Sequence, residues 1–328
     1  MKVLFIGGTG IISSACSHLA VKQGIELFIL NRGLSTRTVP LGAVTITGDI
    51  RNPESVKSLL TNHNFDAVVD WVAYTPEHIK VDLELFRGKT DQFIFISSAS
   101  AYQKPPKLLP IKETTILDNP FWQYSRDKIA CEKDLIRAWY TENFPVTIVR
   151  PSHTYDPTYI PVHGGWTFLD RIIKGKEVIV HGDGTSLWTL THNSDFAIGF
   201  VGLLGNKDTI GDVYHITSDE WLSWDMIVET LSSATGYKPN IIHVPSDLIN
   251  VYDPIWGASL LGDKAHSAIF DNSKIKSVVP GFQAATSFAT GARQIINWYT
   301  ANPSRKIVDD GFNDICNRII SAQKKAFP

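Results

Sequence analysis

Tyr124 and Lys128 are four residues apart, a spacing that puts both side chains on one face of a helix and lets a phenol meet an ammonium. A phenol titrates near 10, too high for proton transfer at neutral pH. A neighbouring ammonium and the positive ring of a nicotinamide favour the phenolate and lower that value. Tyr124 is then suited to take a proton from an alcohol as hydride leaves, or to return it to a ketone. Twenty-six positions earlier stands Ser97-Ser98-Ala99-Ser100-Ala101-Tyr102, where Ser98 is placed to donate a hydrogen bond to the oxygen being transformed. The spacing of Tyr124 and Lys128 alone carries little weight; the serine and the elements around it carry the reading.

A third group lies at the start of the chain. Gly7-Gly8-Thr9-Gly10-Ile11-Ile12-Ser13 separates an apolar run, Val3 to Ile6, from a segment with helical spacing, Ile11 to Lys22. Glycines at a strand-to-helix turn let the backbone approach a pyrophosphate held at the helix N-terminus. Ser13 occupies the third glycine position, where a small side chain still allows close packing. The second strand ends in Asn31-Arg32 rather than in the acidic residue that holds ribose hydroxyls. Arg32, helped by Arg37, suits a 2′-phosphate, so NADP is at least as well accommodated as NAD. Asp49 and Ile50, past the third strand, are placed to meet the adenine.

These groups need a scaffold, and the apolar runs supply one. Glu26–Leu30, Val44–Thr47, Ala67–Val72, Phe93–Ile96 and Val146–Val149 are strand candidates, and Ala67–Val72 and Phe93–Ile96 are continuous rather than alternating, as in parallel strands covered on both faces. Long helices are expected between them, the clearest over Tyr124–Tyr140. The fold class expected is α/β, a Rossmann-type doubly wound parallel sheet with a smaller C-terminal substrate-binding region. Residues 1–168 plus 191–217 are assigned to the dinucleotide-binding part, and 169–190 plus 218–328 to the substrate region. The final segment, Val308 to Lys325, presents Phe312, Ile315, Cys316, Ile319 and Ile320 on one face, to pack on the body or on a partner subunit.

The 328 residues carry 31 Lys and Arg against 33 Asp and Glu, a net charge of -2, which disfavours nucleic acid as a partner. The three cysteines, Cys16, Cys131 and Cys316, are far apart and fit a reducing cytoplasm. The apolar start is cut short by Gly7-Gly8, and Phe196–Leu204 is too short to cross a bilayer, so neither export nor a membrane partner is expected. The histidines show no metal-ligand spacing, and no metal is assigned.

In this order the motifs resemble the extended short-chain dehydrogenase/reductase superfamily, in particular its NAD-dependent epimerase/dehydratase branch, which includes UDP-galactose 4-epimerase. The resemblance also takes in Gly48-Asp49-Ile50-Arg51-Asn52, Val149-Arg150-Pro151 with Tyr155 and Pro157, Gly182-Asp183-Gly184 and His192-Asn193-Ser194-Asp195. It implies Ser98, Tyr124 and Lys128 as catalytic residues and commonly a homodimer. It implies a dinucleotide held by Gly7, Thr9, Gly10, Ile11, Ile12, Asn31, Arg32, Asp49, Ile50, Ala73, Ser97, Tyr124, Lys128, Pro151 and His153. Together with Ser98, the residues expected to face a small-molecule substrate are Tyr74, Trp122, His153, Tyr155, Trp166 and Trp188; Trp71 is a further candidate.

The departures bear on the substrate. Trp188 stands where many nucleotide-sugar members carry a diphosphate-clamping arginine, and His153 where UDP-galactose 4-epimerase has an asparagine near the phosphate. Ala99 replaces both the acidic pair of the 4,6-dehydratases and the cysteine of epimerases that deprotonate beside a ketone. The segment between Ala73 and Ser97 is short, without the usual long helix. The expected activity is NAD(P)-dependent oxidation, reduction or epimerisation at a secondary alcohol or ketone of a sugar-like substrate other than a conventional nucleotide sugar. Two alternatives remain: a nucleotide-sugar 4-epimerase, and a non-catalytic dinucleotide-sensing or RNA-binding protein. The latter resembles chloroplast RNA-binding relatives that share the glycine-rich start and the Asn-Arg-Gly turn.

Overall fold

A computed structural model describes residues 1–326. The first half alternates strand and helix: β1 (Lys2–Ile6), α1 (Ile11–Lys22), β2 (Glu26–Asn31), β3 (Val44–Thr47), α2 (Pro53–Leu60), β4 (Phe65–Asp70), α3 (Pro76–Phe86), β5 (Thr90–Ile96), α4 (Gln123–Glu142) and β6 (Val146–Pro151). Shorter strands follow: β7 (His153–Tyr155), β8 (Glu177–His181), β9 (Leu187–Trp188), β10 (Leu190–His192), β11 (Val213–Ile216), β12 (Leu222–Ser223) and β13 (Asn240–Val244). Interleaved with them and after them come α5 (Trp166–Ile173), α6 (Asn193–Val201), α7 (Trp224–Thr235), α8 (Ser246–Tyr252), α9 (Pro254–Ser259), α10 (Ser273–Val278), α11 (Phe288–Ala301) and α12 (Asp310–Ala326).

Seven strands form one parallel sheet in the order β11-β6-β5-β4-β1-β2-β3. The chain winds outward in opposite directions from β1 and β4, so a crevice opens at their carboxyl ends, beside Gly7 and Trp71. The continuous apolar runs are buried because both sheet faces are covered. One core joins Phe5, Ile29, Val69 and Ile94 to Phe196 and Phe200 of α6; the other joins Leu4, Phe28, Val68 and Phe93 to Cys131 and Leu135 of α4.

A separate core, with Leu169, Val180, Trp188, Trp224 and Leu231, underlies the C-terminal region, where β8 pairs with β13 and β9 with β12. The last helix, α12, buries Phe312, Cys316, Ile319 and Ile320 against β8, β13 and α8. That face therefore packs on the body of the same chain. The segment between Ala73 and Ser97 holds the eleven-residue α3.

Candidate active site

The turn after β1 has a backbone that its glycines alone make easy. Gly7 lies at φ +103° and Gly8 at φ +90°, and a Cβ on Gly7 would come within 3.2 Å of Trp71 Cβ. Ser13 does more than stay small, since its Oγ accepts the Gly10 N–H at 2.8 Å and closes the first turn of α1. Asn193, the first residue of α6, donates its amide to the Ile11 carbonyl at 2.9 Å and ties that helix to the loop. Gly10, Ile11 and Ile12 thus form the rim of the helix N-terminus. A cleft of about 400 Å³ adjoins it, lined by Gly7, Thr9, Asn31, Arg32, Asp49, Ile50, Arg51 and Tyr74, among others. The chain's own geometry fits an extended dinucleotide, with glycines where backbone must approach and an open path from the loop to the end of β2.

Arg32 lines this cleft with no ion pair or hydrogen bond among the described residues. Arg37 does not help it. Its guanidinium is ion-paired with Asp156 and donates to Thr158 Oγ1 at 2.5 Å, because the loop between β2 and β3 reaches across to the segment after β7. Asn31 accepts the Gly33 N–H at 2.8 Å and shapes the turn.

Tyr124 and Lys128 share the face of α4 turned to the sheet edge. Lys128 is buried and donates to the carbonyls of Ala73 (2.6 Å) and Ile96 (2.7 Å), with its ammonium 4.8 Å from the Tyr74 ring and 5.8 Å from the Tyr124 ring. Burial lowers its pKa to about 8. The chain's own groups do not produce the depression expected for the Tyr124 phenol from Lys128 and a nicotinamide ring. Burial outweighs every other influence and pushes it up to about 12; the Ser98 hydroxyl is the group that counteracts. Ser98 Oγ lies 2.9 Å from Ser100 Oγ, which receives a hydrogen bond from Ser125 at 2.8 Å, while Asn119 holds the Ser100 carbonyl at 2.8 Å. A short polar chain therefore orients Ser98 from behind.

Ser98, Tyr124, Trp122, Pro151, His153 and Trp188 all line a second cavity of about 310 Å³. The Trp122 ring lies 4.9 Å from the Tyr124 ring. The Trp188 indole donates to His153 Nδ1 at 3.1 Å. Burial holds His153 neutral, with its pKa down at about 3. Ala99 contributes only a methyl group to this wall.

Other expected site residues lie elsewhere. Tyr155 is fully buried between His192 and Phe288, and a Cβ on Gly291 would touch its hydroxyl. Trp166 is buried and stacks on Tyr299 at 5.0 Å, and Trp71 packs on Phe5 and Phe200. All three belong to cores, because at a strand or helix end a large ring is held by whichever surface covers it. Ser97 faces away from the cleft and donates to Glu132, which is held by Arg150 in a buried ion pair. Side chains alternate along an extended segment, so Ser97 and Ser98 cannot both face the crevice. Ala73 is buried, and its carbonyl anchors Lys128. Tyr74 borders the dinucleotide cleft rather than the second cavity.

The sequence reading missed three charged residues. Lys264 and Asp263 line the second cavity, and Lys104 reaches Asp263 at 2.8 Å and lies 5.8 Å from the Trp188 ring centre. The cavity thus holds cations and a carboxylate although Trp188 and Ala99 supply neither. The paired prolines of Lys104-Pro105-Pro106-Lys107 are the one local irregularity beside Lys104, and nothing near Lys264 marks it in the sequence.

Residues 3–217 match the NAD dependent epimerase/dehydratase family, and the chain belongs to that family. Its family and homologues comprise NAD-dependent epimerases, dehydratases and reductases of the short-chain dehydrogenase/reductase superfamily, enzymes that modify sugars. It is 28% identical over 257 residues to chloroplast stem-loop binding protein of 41 kDa b of Arabidopsis thaliana, covering 74% of this chain and 65%, just under two thirds, of that protein. It is 24% identical over 295 residues to 2'-dehydrokanamycin reductase of Streptomyces kanamyceticus, covering 86% and 80%. Among solved structures, UDP-glucose 4-epimerase of Bifidobacterium longum, in complex with NAD+ and UDP, superposes with TM-score 0.74 at 21% identity, covering 92% and 99%. That likeness establishes the fold. Among the described residues no helix is long and apolar enough to cross a membrane, and no group of three metal-ligating side chains occurs.

Proposed function

We propose that this enzyme reduces a ketone on a sugar-like substrate, with Tyr124 giving the proton, Ser98 orienting the oxygen and Lys128 fixing the nicotinamide ribose. The observation that carries this reading is that Ser98 and Tyr124 line one cavity, while Tyr74, 6.4 Å from the Tyr124 ring, lines the dinucleotide cleft next to it. When bound, a nicotinamide dinucleotide supplies the hydride. The chain's own residues handle the proton. A phenol held near 12 is protonated at neutral pH and so is an acid at rest, which suits delivery of a proton to a developing alkoxide. Ser98, backed by Ser100 and Ser125, donates to the same oxygen. A reductase among the relatives, named for 2'-dehydrokanamycin, supports the same direction.

NADP is the cofactor we favour over NAD. Arg32 is free to pair with a 2′-phosphate, and Asn31 leaves no carboxylate at the end of β2 to repel it. Trp188 and the neutral His153 support a substrate other than a conventional nucleotide sugar, since neither neutralises a diphosphate.

The test is hydride transfer from NADPH to a panel of keto-sugars, followed at the nicotinamide absorbance, with Tyr124→Phe alongside. Net NADPH consumption that Tyr124→Phe abolishes is the expected result. Interconversion of epimers with tightly bound cofactor surviving turnover would instead make the enzyme an epimerase. One relative is a chloroplast stem-loop binding protein, which makes RNA binding the second reading; salt-dependent RNA binding without hydride transfer would establish it.

A further inference from the structure

Lys264 ends a short π-helical turn, Leu260–Lys264, that follows α9 and borders the second cavity. Its backbone is held firmly. The Lys264 carbonyl accepts from His181 Nε2 at 2.8 Å and from the Trp224 indole at 3.1 Å. Two residues earlier, the Gly262 carbonyl accepts from Asn119 at 2.6 Å, and a Cβ on Gly262 would lie 2.6 Å from Trp122 Cβ. The same amide holds Ser100, so this turn is docked directly onto the Ser98 segment.

The ammonium of Lys264 lies 5.4 Å from the Trp122 ring centre, and the residue also borders an adjoining cavity of about 130 Å³. No carboxylate pairs with it among the described residues. The adjacent Asp263 is engaged by Lys104 at 2.8 Å. His153, between the two cavities, is neutral. One positive charge is therefore left over in the wall. Burial disfavours that charge and Lys104 adds repulsion, while the nearby Asp263 attracts it. A half-buried cation that shares its neighbouring carboxylate with Lys104 is costly, whereas pairing with an anion recovers part of the desolvation penalty.

We propose that Lys264 is the anion-recognition point of the substrate cavity and that the substrate is a sugar-like ketone bearing one carboxylate. This deepens the reading of the second cavity as the substrate site and rests on it. A single surplus charge matches a carboxylate. A diphosphate brings more charge than this wall neutralises, and an amino sugar would meet repulsion. At about 310 Å³ the cavity is at the small end of ligand pockets, about 300–1,000 Å³, which suits a monosaccharide-sized acid.

The test uses the NADP-loaded protein with D-glucuronate, D-glucose and UDP-glucose as probes, reading the fluorescence of the tryptophans at the cavity. D-glucuronate is expected to bind at least tenfold more tightly than D-glucose. Lys264→Gln should erase that preference while leaving NADP affinity intact, and Lys264→Arg should retain it. Equal behaviour of glucuronate and glucose, including failure of both to bind, overturns the proposal. So does a preference that survives Lys264→Gln, or UDP-glucose binding more tightly than glucuronate. If the preference holds but no substrate is reduced, the anion site stands and the reductase reading falls.

Discussion

The Trp188 indole N–H donates to Nδ1 of His153 across 3.1 Å, joining two residues of the second cavity wall. The bond needs a lone pair on that nitrogen, and burial keeps it there by lowering the His153 pKa to about 3. An unfolded histidine takes up its proton near 6.5. Between about 6.5 and 3 the unfolded chain thus binds more protons than the folded one, so the stability supplied by neutral His153 is complete above that window and is lost as pH falls through it. His153→Gln removes this dependence. Denaturant titrations at about pH 7 and pH 4 should show a loss in the wild type larger by a few kcal/mol than in the variant; parallel losses would mean that His153 titrates normally.

Tyr124 and Lys128 separate the two ends of the pH profile. With the phenol at about 12 and the ammonium at about 8, Lys128 is the first of the pair to change as pH rises above neutrality. Dinucleotide affinity should weaken as pH passes about 8. Tyr124→Phe should keep that profile while cutting turnover by roughly 10²–10⁴-fold, the usual contribution of a positioned acid. Disappearance of the alkaline limb in Tyr124→Phe would assign it to the phenol instead.

Arg32→Ala tests the choice of cofactor. A charge-assisted hydrogen bond contributes about 1.5–3 kcal/mol, so NADP affinity should fall by roughly tenfold or more. NAD affinity should stay within about twofold. Equal losses for both dinucleotides would show that Arg32 holds a group they share.

Asp70 and Asp82 are buried together beneath the site. Asp70 Oδ1 accepts the N–H groups of Val72 and Ala73, and the Ala73 carbonyl in turn holds Lys128. Burial raises both carboxyls, Asp82 most, with Asp70 adding repulsion. A raised carboxyl means that the folded state keeps its proton where the unfolded state releases it. Stability is therefore lost as pH rises toward the folded value of Asp82. Asp82→Asn, which cannot ionise, should melt higher than the wild type at pH 8, and the gap should shrink at pH 5. A variant less stable at both values would show that Asp82 is needed as an acid.

Gly7→Ala probes the loop itself. A side chain at φ +103° is strained, and its Cβ would crowd Trp71 and Val72. A loss of about 1–2 kcal/mol in stability is expected, together with loss of dinucleotide binding. Full retention of binding, measured by calorimetry, would place the pyrophosphate away from this turn.

The amino-acid sequence alone determined the doubly wound sheet, the glycine turn, the apolar face of α12 and the Ser98, Tyr124 and Lys128 group. Each depends on short-range order: continuous apolar runs, a glycine pair after a strand, four-residue spacing on one helix. Tertiary packing decided which aromatic rings reach the cavity. Trp122 and Trp188 do, while Tyr155, Trp166 and Trp71 fill cores, since a large ring satisfies either place equally well. It also decided the acidity of Tyr124, because burial is a property of everything folded around the phenol. Above all it brought Lys264 and Lys104 to the wall beside Trp188. A cation that arrives from a turn about 140 positions beyond the tyrosine leaves no local pattern, and its proximity exists only once the C-terminal region closes over the sheet edge.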